Sequence, residues 1–558
     1  MVTSPALPAN ATGLKVGLSQ LNPIVGDLQG NEDLILADYA RAIEAGCDVV
    51  VFGELTVTGY PPEDLLLKGA FVRHNRMTLD RIAANTTSCV AVVGFVHEED
   101  GHLYNAVGLC REGGLMGIYK KRLLPNYAVF DEERYFEPGP EMSDGRPAGL
   151  FWMHGLEVGV SICEDIWFAD GPVKAQAAHG ARIVLNLNGS PFHDQKHLER
   201  EEMLKQRARE NNCAIVYVNQ VGAQDELVFD GSSVVIDNHG VVACRMKSFE
   251  SDFSVIDVMA DGGVVPTNIV PFESDIDRVY SALVLGTRDY VRKNHFTDVV
   301  IGLSGGIDSS IVAAIAVDAL GADHVHGVAM PSRYSSQGSI DDAQQLATAL
   351  GIDHRTVSIE PAFSAYLEML APSFQDREHD LAEENLQSRC RGMTLMALSN
   401  KFGWMVLTTG NKSEMAVGYF TLYGDSAGGY AAIKDVFKTQ VFALCRRINE
   451  RAGREIIPES VIDKPPSAEL RPDQRDDQSL PAYEDLDPIL RHYIDNDLTV
   501  PEITKLGFDG EVVTRIARLV DVNEYKRRQC APGVRISTKA FGKDRRMPIT
   551  NGYRADRA

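Results

Sequence analysis

The stretch VVIGLSGGIDSS, residues 299–310, limits what this chain can fold into more than any other. Val299, Val300 and Ile301 form a short apolar run suited to a buried strand, and the apolar residues of 311–320 recur at helical spacing. Two glycines and small hydroxyl residues lie between. The reading is a strand, a phosphate-sized loop and a helix N-terminus in direct succession. Free backbone N–H groups at a helix start, with the positive dipole end, attract anions. Gly305 and Gly306 let the backbone approach a ligand without a Cβ in the way. The G-K-[ST] ending of a Walker A loop is absent. Asp308 instead puts a carboxylate beside the phosphates, which suits pyrophosphate together with a metal ion.

The second half alternates around this loop. Strands are expected at 299–303, 325–330, 354–359 and 404–408, with helices at 339–350 and 382–401. Ser339 and Asp342 read as a capping box. This is an α/β, doubly wound, mostly parallel sheet, whose ligand crevice lies at the carboxyl ends of its strands. The loops after Leu303, Met330 and Thr408 should converge there. An amphipathic helix at 274–293 precedes them.

The first half is richer in strands: 14–18, 48–52, 90–96, 105–110, 157–162, 181–187, 214–219, 231–237 and 241–245. A helix at 31–45 is expected between Asn31 as N-cap and Gly46 as the residue after its end. Sheets covered by helices fit this order. The aperiodic ADGGVVPTNIVPFE at 260–273 reads as a connection. The domain reading is therefore 1–262, a linker at 263–273, and 274–558. The polar, proline-rich 464–482 reads as a mobile loop of the kind that covers active sites.

Charge and cysteines exclude several classes. Asp and Glu number 78 against 55 Lys and Arg, a net charge of −23. So acidic a chain is a poor general binder of nucleic acid, and any phosphate must be held by local devices. The nine cysteines form no CxxC pair, so neither a zinc ribbon nor a disulfide framework is expected. No run approaches the ~20 apolar residues of a membrane span. MVTSPALPANATG lacks the basic and apolar regions of a secretory signal, and a reducing cytoplasm is the expected location.

In the second half, Glu414 in TTGNKSE follows a strand as the opening loop does. Asp308 and Glu414 are candidates to share a Mg²⁺, which takes few protein carboxylates plus phosphate oxygens. Arg389 and Arg391 either reach a phosphate or form salt bridges. Lys438 beside a helix would ordinarily be a surface residue. The basic C-terminal EYKRRQCAPGVRISTKAFGKDRRMP suits a small anionic ligand, with Lys526 one candidate contact.

Residues 304–310, TTGNKSE, YGDSAGGYAAIKDVFKTQ and KRRQ…AFGKDRRMPI together resemble the NAD⁺ synthetase family, a branch of the N-type (PP-loop) ATP pyrophosphatases. The resemblance implies ATP-driven adenylation of nicotinic acid adenine dinucleotide (deamido-NAD), then displacement of AMP by ammonia. Its pattern assigns Gly302, Leu303, Ser304, Gly305, Gly306, Ile307, Asp308, Ser309, Ser310 and Thr409 to ATP. It assigns Asn385, Glu414, Lys438 and Lys526 to deamido-NAD, and Asp308 and Glu414 to Mg²⁺. No flavin and no zinc are implied.

Three patches stand apart in the first half, each with a polar residue at or near the end of an apolar run: FGEL, YKKRLLP and SICEDIW. Singly, Glu54 reads as a strand-end acid, Lys121 as a solvated cation and Cys163 as a small buried residue. Glu164 and Asp165 would raise the Cys163 pKa unless a cation compensates. Together the patches resemble the Glu–Lys–Cys triad of the nitrilase (carbon–nitrogen hydrolase) family. GELTVTGYPPEDLL, KKRLLPNYAVFDEERYFEPG, ICEDIW and NGSPF match its glutaminase branch, a nitrilase-like α-β-β-α sandwich, over about 14–260. The resemblance makes Cys163 the nucleophile, Glu54 the general base and acid, and Lys121 the oxyanion stabiliser and the cation offsetting Glu164 and Asp165. It chooses Lys121 over Lys120 by distance from Leu124-Pro125, and puts glutamine against Tyr127, Ser190 and Lys196. It further implies a tunnel for ammonia and a homo-oligomer. Two alternatives stay open: another glutamine-dependent amidotransferase of this loop class, and a nucleotide-binding scaffold without activity.

Overall fold

Strand residues of the first unit alternate between two cores, which sets its layering. The computed structural model describes residues 13–553 apart from 376 and 473, and divides into the units Met1–Glu273 and Ser274–Ala558. In Val49–Val51, Val49 and Val51 face one core and Val50 another; in Ile183–Asn188, Ile183, Leu185 and Leu187 face the first core and Val184 a third. Side chains of a strand point alternately to its two faces, so a strand apolar throughout is buried on both.

Two six-stranded sheets result. Asp252–Met259, Gly13–Gln20, Val49–Val51, Val90–Glu99, His102–Arg111 and Gly114–Lys120 make one, in that order. Val242–Arg245, Val234–Ile236, Ala214–Asn219, Ile183–Asn188, Leu156–Ile162 and Leu150–Met153 make the other. Leu18, Val92, Val160 and Leu185 fill the core between the sheets. The outer face of the first sheet takes the helices Leu28–Glu44 and Gly69–Ala84 through Ile35, Tyr39, Leu79 and Ile82. The second takes Pro172–Ala178 and Lys196–Asn211 through Val173, Leu204 and Ala208. This is an α-β-β-α sandwich. The stretch read as a connection lies along this unit: Thr267 and Val270 donate backbone bonds to Ala243 and Arg245, and Arg245 stacks on Phe272.

The second unit carries a parallel five-stranded sheet in the order Asp353–Thr356, Val325–Ala329, Val299–Gly302, Met405–Thr408, Tyr430–Ala431. The helix Ile307–Leu320 follows the central strand. A helical cluster around Leu486, Ile503, Ile516 and Val520 completes the unit. Among the described residues, no helix is long and apolar enough to cross a membrane.

Several local expectations are corrected. Asp27, not Asn31, caps the first helix by accepting from Gly30 N at 2.9 Å; Asn31 is buried and bonds Ile24 and Val57. Ser336, not Ser339, caps Gln337–Leu350, because its hydroxyl accepts from Ser339 N, and Asp342 accepts instead from Ser460. The strand expected at 231–237 is confined to Val234–Ile236, because left-handed backbone at Gly231 and Ser232 separates it from the preceding strand Leu227–Asp230.

Candidate active sites

In the first unit, three strand ends of the two sheets meet. Glu54 follows Val49–Val51, Lys121 follows Gly114–Lys120, and Cys163 follows Leu156–Ile162 directly. Lys121 Nζ donates to Glu54 Oε1 at 2.7 Å and to both oxygens of Glu132 at 2.9 Å. Asn105 also donates to Glu54 Oε1, and Gly189 N holds Oε2 at 2.8 Å. Glu54 is therefore fixed at both oxygens. Cys163 has φ +41, in the left-handed region, which costs a non-glycine residue on the order of 1–3 kcal/mol and persists only where neighbours enforce it.

Charge is finely balanced here. Burial works against the Lys121 ammonium, but Glu132 and Glu54 more than offset it and its pKa is raised. Burial and then the neighbouring Glu54 hold the Cys163 thiol well above its ordinary value, against the pull of Lys121. A thiol held in this way needs a base to take its proton before it can act as a nucleophile. Burial pushes Glu132 up to about 7 against Lys121. Lys121 gives its hydrogen bonds to Glu54 and Glu132, while its charge opposes the burial-driven rise of Glu164 and Asp165. Glu164 accepts from Tyr127 Oη, and Asp165 is held by backbone and Tyr119. Lys120 lies outside, paired with Glu99 and over the Tyr104 ring.

In the second unit, the carboxyl ends of the parallel strands open on a cavity of about 570 Å³. The loops after Leu303, Met330 and Thr408 converge on it. Gly305 turns the loop at φ +72, where a Cβ would stand 2.1 Å from Ser339 O. Ser304 and Ser309 hydroxyls lie 3.1 Å apart, and Gly306 N donates to Ser304 Oγ. Asn411 donates to Asp308 Oδ1 at 2.9 Å. Lys438, the first residue of helix Lys438–Ala452, is almost wholly buried and pairs with Asp308 and, at 3.4 Å, Glu414. The expectation of a surface lysine is wrong. A helix N-terminus disfavours a cation, so the two carboxylates must hold it there. Burial pushes Glu414 up to about 8, with Lys438 opposing and Asp308 and Asp476 adding to the rise.

The halves match separate family models: carbon-nitrogen hydrolase over residues 15–263 and NAD synthase over 279–530. The glutamine-dependent NAD(+) synthetase of Thermotoga maritima is 46% identical, covering 97% of this chain and 99% of its own. That of Xanthomonas campestris is 48% identical, over 97% and 98%. This chain belongs to the glutamine-dependent NAD(+) synthetase family. The solved structure of the Acinetobacter baumannii synthetase, in complex with ADP, superposes with a TM-score of 0.78 at 42% identity, covering 97% of this chain and 99% of that one.

The candidates of this synthetase are distributed as follows. Of the ten residues assigned to ATP, eight line the cavity; Gly305 shapes the turn, and Ser310 Oγ bonds back to Gly306 O. Asn385, Glu414, Lys438 and Lys526 all line it; Asn385 accepts from Thr421, and Lys526 donates to Gly418 O and Phe420 O. Arg391 lines it and donates to Met330 O, whereas Arg389 donates to Leu422 O. Other basic residues of the C-terminal segment are engaged internally: Arg527 and Arg545 on Glu524, and Arg535 on Asp544. Around Cys163, Tyr127 is half-exposed, Ser190 is buried, and Lys196 Nζ stands 4.0 Å over the Trp167 ring. Residues 464–470 of the expected loop line the cavity: Lys464 donates to Gly305 O and Ser339 Oγ, and Glu469 accepts from Ser336 and Ser339.

Glu132, Asn105 and Asp476 join these sites without a mark in the sequence that singles them out. Glu132 lies within KKRLLPNYAVFDEERYFEPG, but nothing local separates it from its acidic neighbours. Among the described residues, no group of three or more His, Cys, Asp and Glu is arranged to hold a metal ion.

Proposed function

We propose that this synthetase converts deamido-NAD to NAD(+) with ATP, using ammonia that it hydrolyses from glutamine. The observation that supports the reading is that Glu54, Lys121 and Cys163 lie together in the first unit, and Asp308, Glu414 and Lys438 lie together beside the 304–310 loop in the second.

In the first unit, Glu54 takes the thiol proton and Cys163 Sγ attacks the glutamine carboxamide carbon. Lys121 stabilises the resulting oxyanion. Glu54 returns the proton to the nitrogen, the C–N bond breaks, and ammonia leaves a thioester. Glu54 then activates water, which releases glutamate and restores the thiol. Tyr127, Ser190 and Lys196 hold the glutamine, with Lys196 suited to its carboxylate.

In the second unit, the nicotinate carboxylate attacks the α-phosphorus of ATP and pyrophosphate leaves. A carboxylate is a poor electrophile, and the mixed anhydride makes its carbon reactive. Ammonia adds to that carbon and AMP departs, leaving the amide. The N–H groups of the 304–310 loop and Lys438 orient the phosphates and take up charge on the departing pyrophosphate. Asn385, Glu414 and Lys526 contact the acid dinucleotide.

Mg²⁺ fits this donor set. Asp308 and Asp476 both add to the rise of Glu414, a repulsion that a bound cation would relieve, and one or two protein carboxylates are what Mg²⁺ takes beside phosphate oxygens. Asp308 and Glu414 would hold it, and it would supply charge neutralisation at the phosphates. We further propose that the chain works as a homo-oligomer in the cytoplasm; light scattering of the purified protein and fractionation of cells test this.

Two variants test the reading, assayed with ATP and deamido-NAD. Cys163→Ala should lose turnover driven by glutamine and keep that driven by high ammonium. Asp308→Ala should lose both. Normal use of glutamine by Cys163→Ala would refute the first assignment.

A further inference from the structure

Asp165 has no part in the chemistry above, yet it is fully buried between the two segments that perform it. Its Oδ2 accepts from Ile162 N at 3.0 Å and from Tyr119 Oη at 2.7 Å. Its Oδ1 accepts from Arg122 N at 3.1 Å and Leu123 N at 3.0 Å. Ile162 directly precedes Cys163. Tyr119 lies two residues before Lys121, and Arg122 and Leu123 directly follow it. One carboxylate thus ties the turn of the nucleophile to both flanks of the lysine.

We propose that Asp165 is a positioning residue of the glutaminase site, fixing where the Cys163 thiol stands relative to the Lys121 ammonium. The proposal rests on the reading above and deepens it. Its four partners are three backbone amides and a phenol. The carboxylate therefore meets donors on both oxygens without drawing Lys121 away from Glu54 and Glu132. Glu164, its neighbour, cannot do the same, because its side chain turns to Tyr127. The left-handed Cys163 backbone needs a neighbour to enforce it. Asp165 does so two residues on, by bonding the amide just ahead of the thiol. Oxyanion stabilisation depends on placement, and a misplacement of about 1 Å costs on the order of 10²-fold in rate.

Asp165→Asn keeps the shape but points an N–H at one of two donor pairs. Tyr119→Phe removes one bond of the four. Each full-length variant is assayed with glutamine and with ammonium, and alkylation of Cys163 by iodoacetamide is followed against pH. For Asp165→Asn, the glutamine-driven kcat should fall roughly 10–100-fold. KM for glutamine should stay within about threefold, and the alkylation profile should shift. Ammonium-driven kcat should be retained. Tyr119→Phe should show a smaller loss confined to glutamine. Unchanged glutamine turnover in Asp165→Asn would overturn the proposal. So would equal loss with both nitrogen sources, since that marks general destabilisation. If Asp165→Asn does not fold, Tyr119→Phe decides: a loss with glutamine alone supports the proposal and no loss overturns it. Cys163→Ala run beside them separates the two levels, because glutamine use by that variant would refute the site itself and not only the role of Asp165.

Discussion

Lys121 Nζ lies 2.7 Å from Glu54 Oε1, with both side chains sealed from solvent. A buried ion pair adds little stability by itself, but removing one partner strands the other. Here two carboxylates would be stranded, Glu54 and Glu132. Lys121→Ala should therefore destabilise the first unit by about 3–5 kcal/mol. Given its proposed role at the oxyanion, the loss of Lys121 should also lower glutamine-driven turnover by roughly 10²–10³-fold. Calorimetry and steady-state assays with both nitrogen sources check this; ammonium-driven turnover should persist.

Glu132 gives a pH dependence with a definite sign. Its folded pKa is about 7 against an ordinary 4.5, so between these values the folded state binds more protons than the unfolded. Its contribution to stability is complete below the lower value and is lost as pH rises through the higher. Glu132→Gln is neutral at every pH and lacks this term. The melting temperature of the variant should gain on that of the parent as pH is raised from about 5 to about 8. A difference that stayed constant or reversed would contradict the assignment.

Lys438 bridges Asp308 and Glu414, so its loss should be felt with either source of nitrogen. Lys438→Ala should reduce turnover by roughly 10²-fold or more with glutamine and with ammonium alike, by analogy with other charge-stabilising groups. Glutamine hydrolysis measured as glutamate release, without ATP, should survive. Lys438→Arg should not rescue, because a planar guanidinium does not replace a compact ammonium at a buried site.

Gly305→Ala tests the phosphate loop. A methyl group there would meet the backbone oxygen of Ser339 at 2.1 Å, at φ +72. Neither side yields easily, and the loop must open. The KM for ATP should rise about tenfold or more, with a stability loss on the order of 1–3 kcal/mol. ATP titration and thermal melting measure the two effects.

Gly94→Ala is the counterpart in the first unit. Its Cβ would stand 2.4 Å from Leu55 N and 2.6 Å from Gly53 O, the two neighbours of Glu54. Moving that segment displaces Glu54, the proposed base, so glutamine-driven turnover should fall by roughly 10²-fold while ammonium-driven turnover stays. Parallel assays with the two nitrogen sources decide it.

The strand–loop–helix at 299–310, the apolar strands of both halves and the places where Glu54, Lys121 and Cys163 follow them can be read directly from the residues. These features are local. The period of side chains along a strand or helix follows from backbone geometry, so it is written in neighbouring residues. Which charges meet depends on the assembled fold. Lys438 reads as a surface residue from its flanks, and its burial follows from Asp308, 130 positions away. The amide of Gly189 reaches Glu54 across 135 positions, and nothing near Glu132 marks it as the second partner of Lys121. The C-terminal arginines looked available for an anion until the fold supplied Glu524 and Asp544. The energy of a buried charge depends on the groups brought beside it and on the exclusion of water, and both exist only once the sheets have assembled.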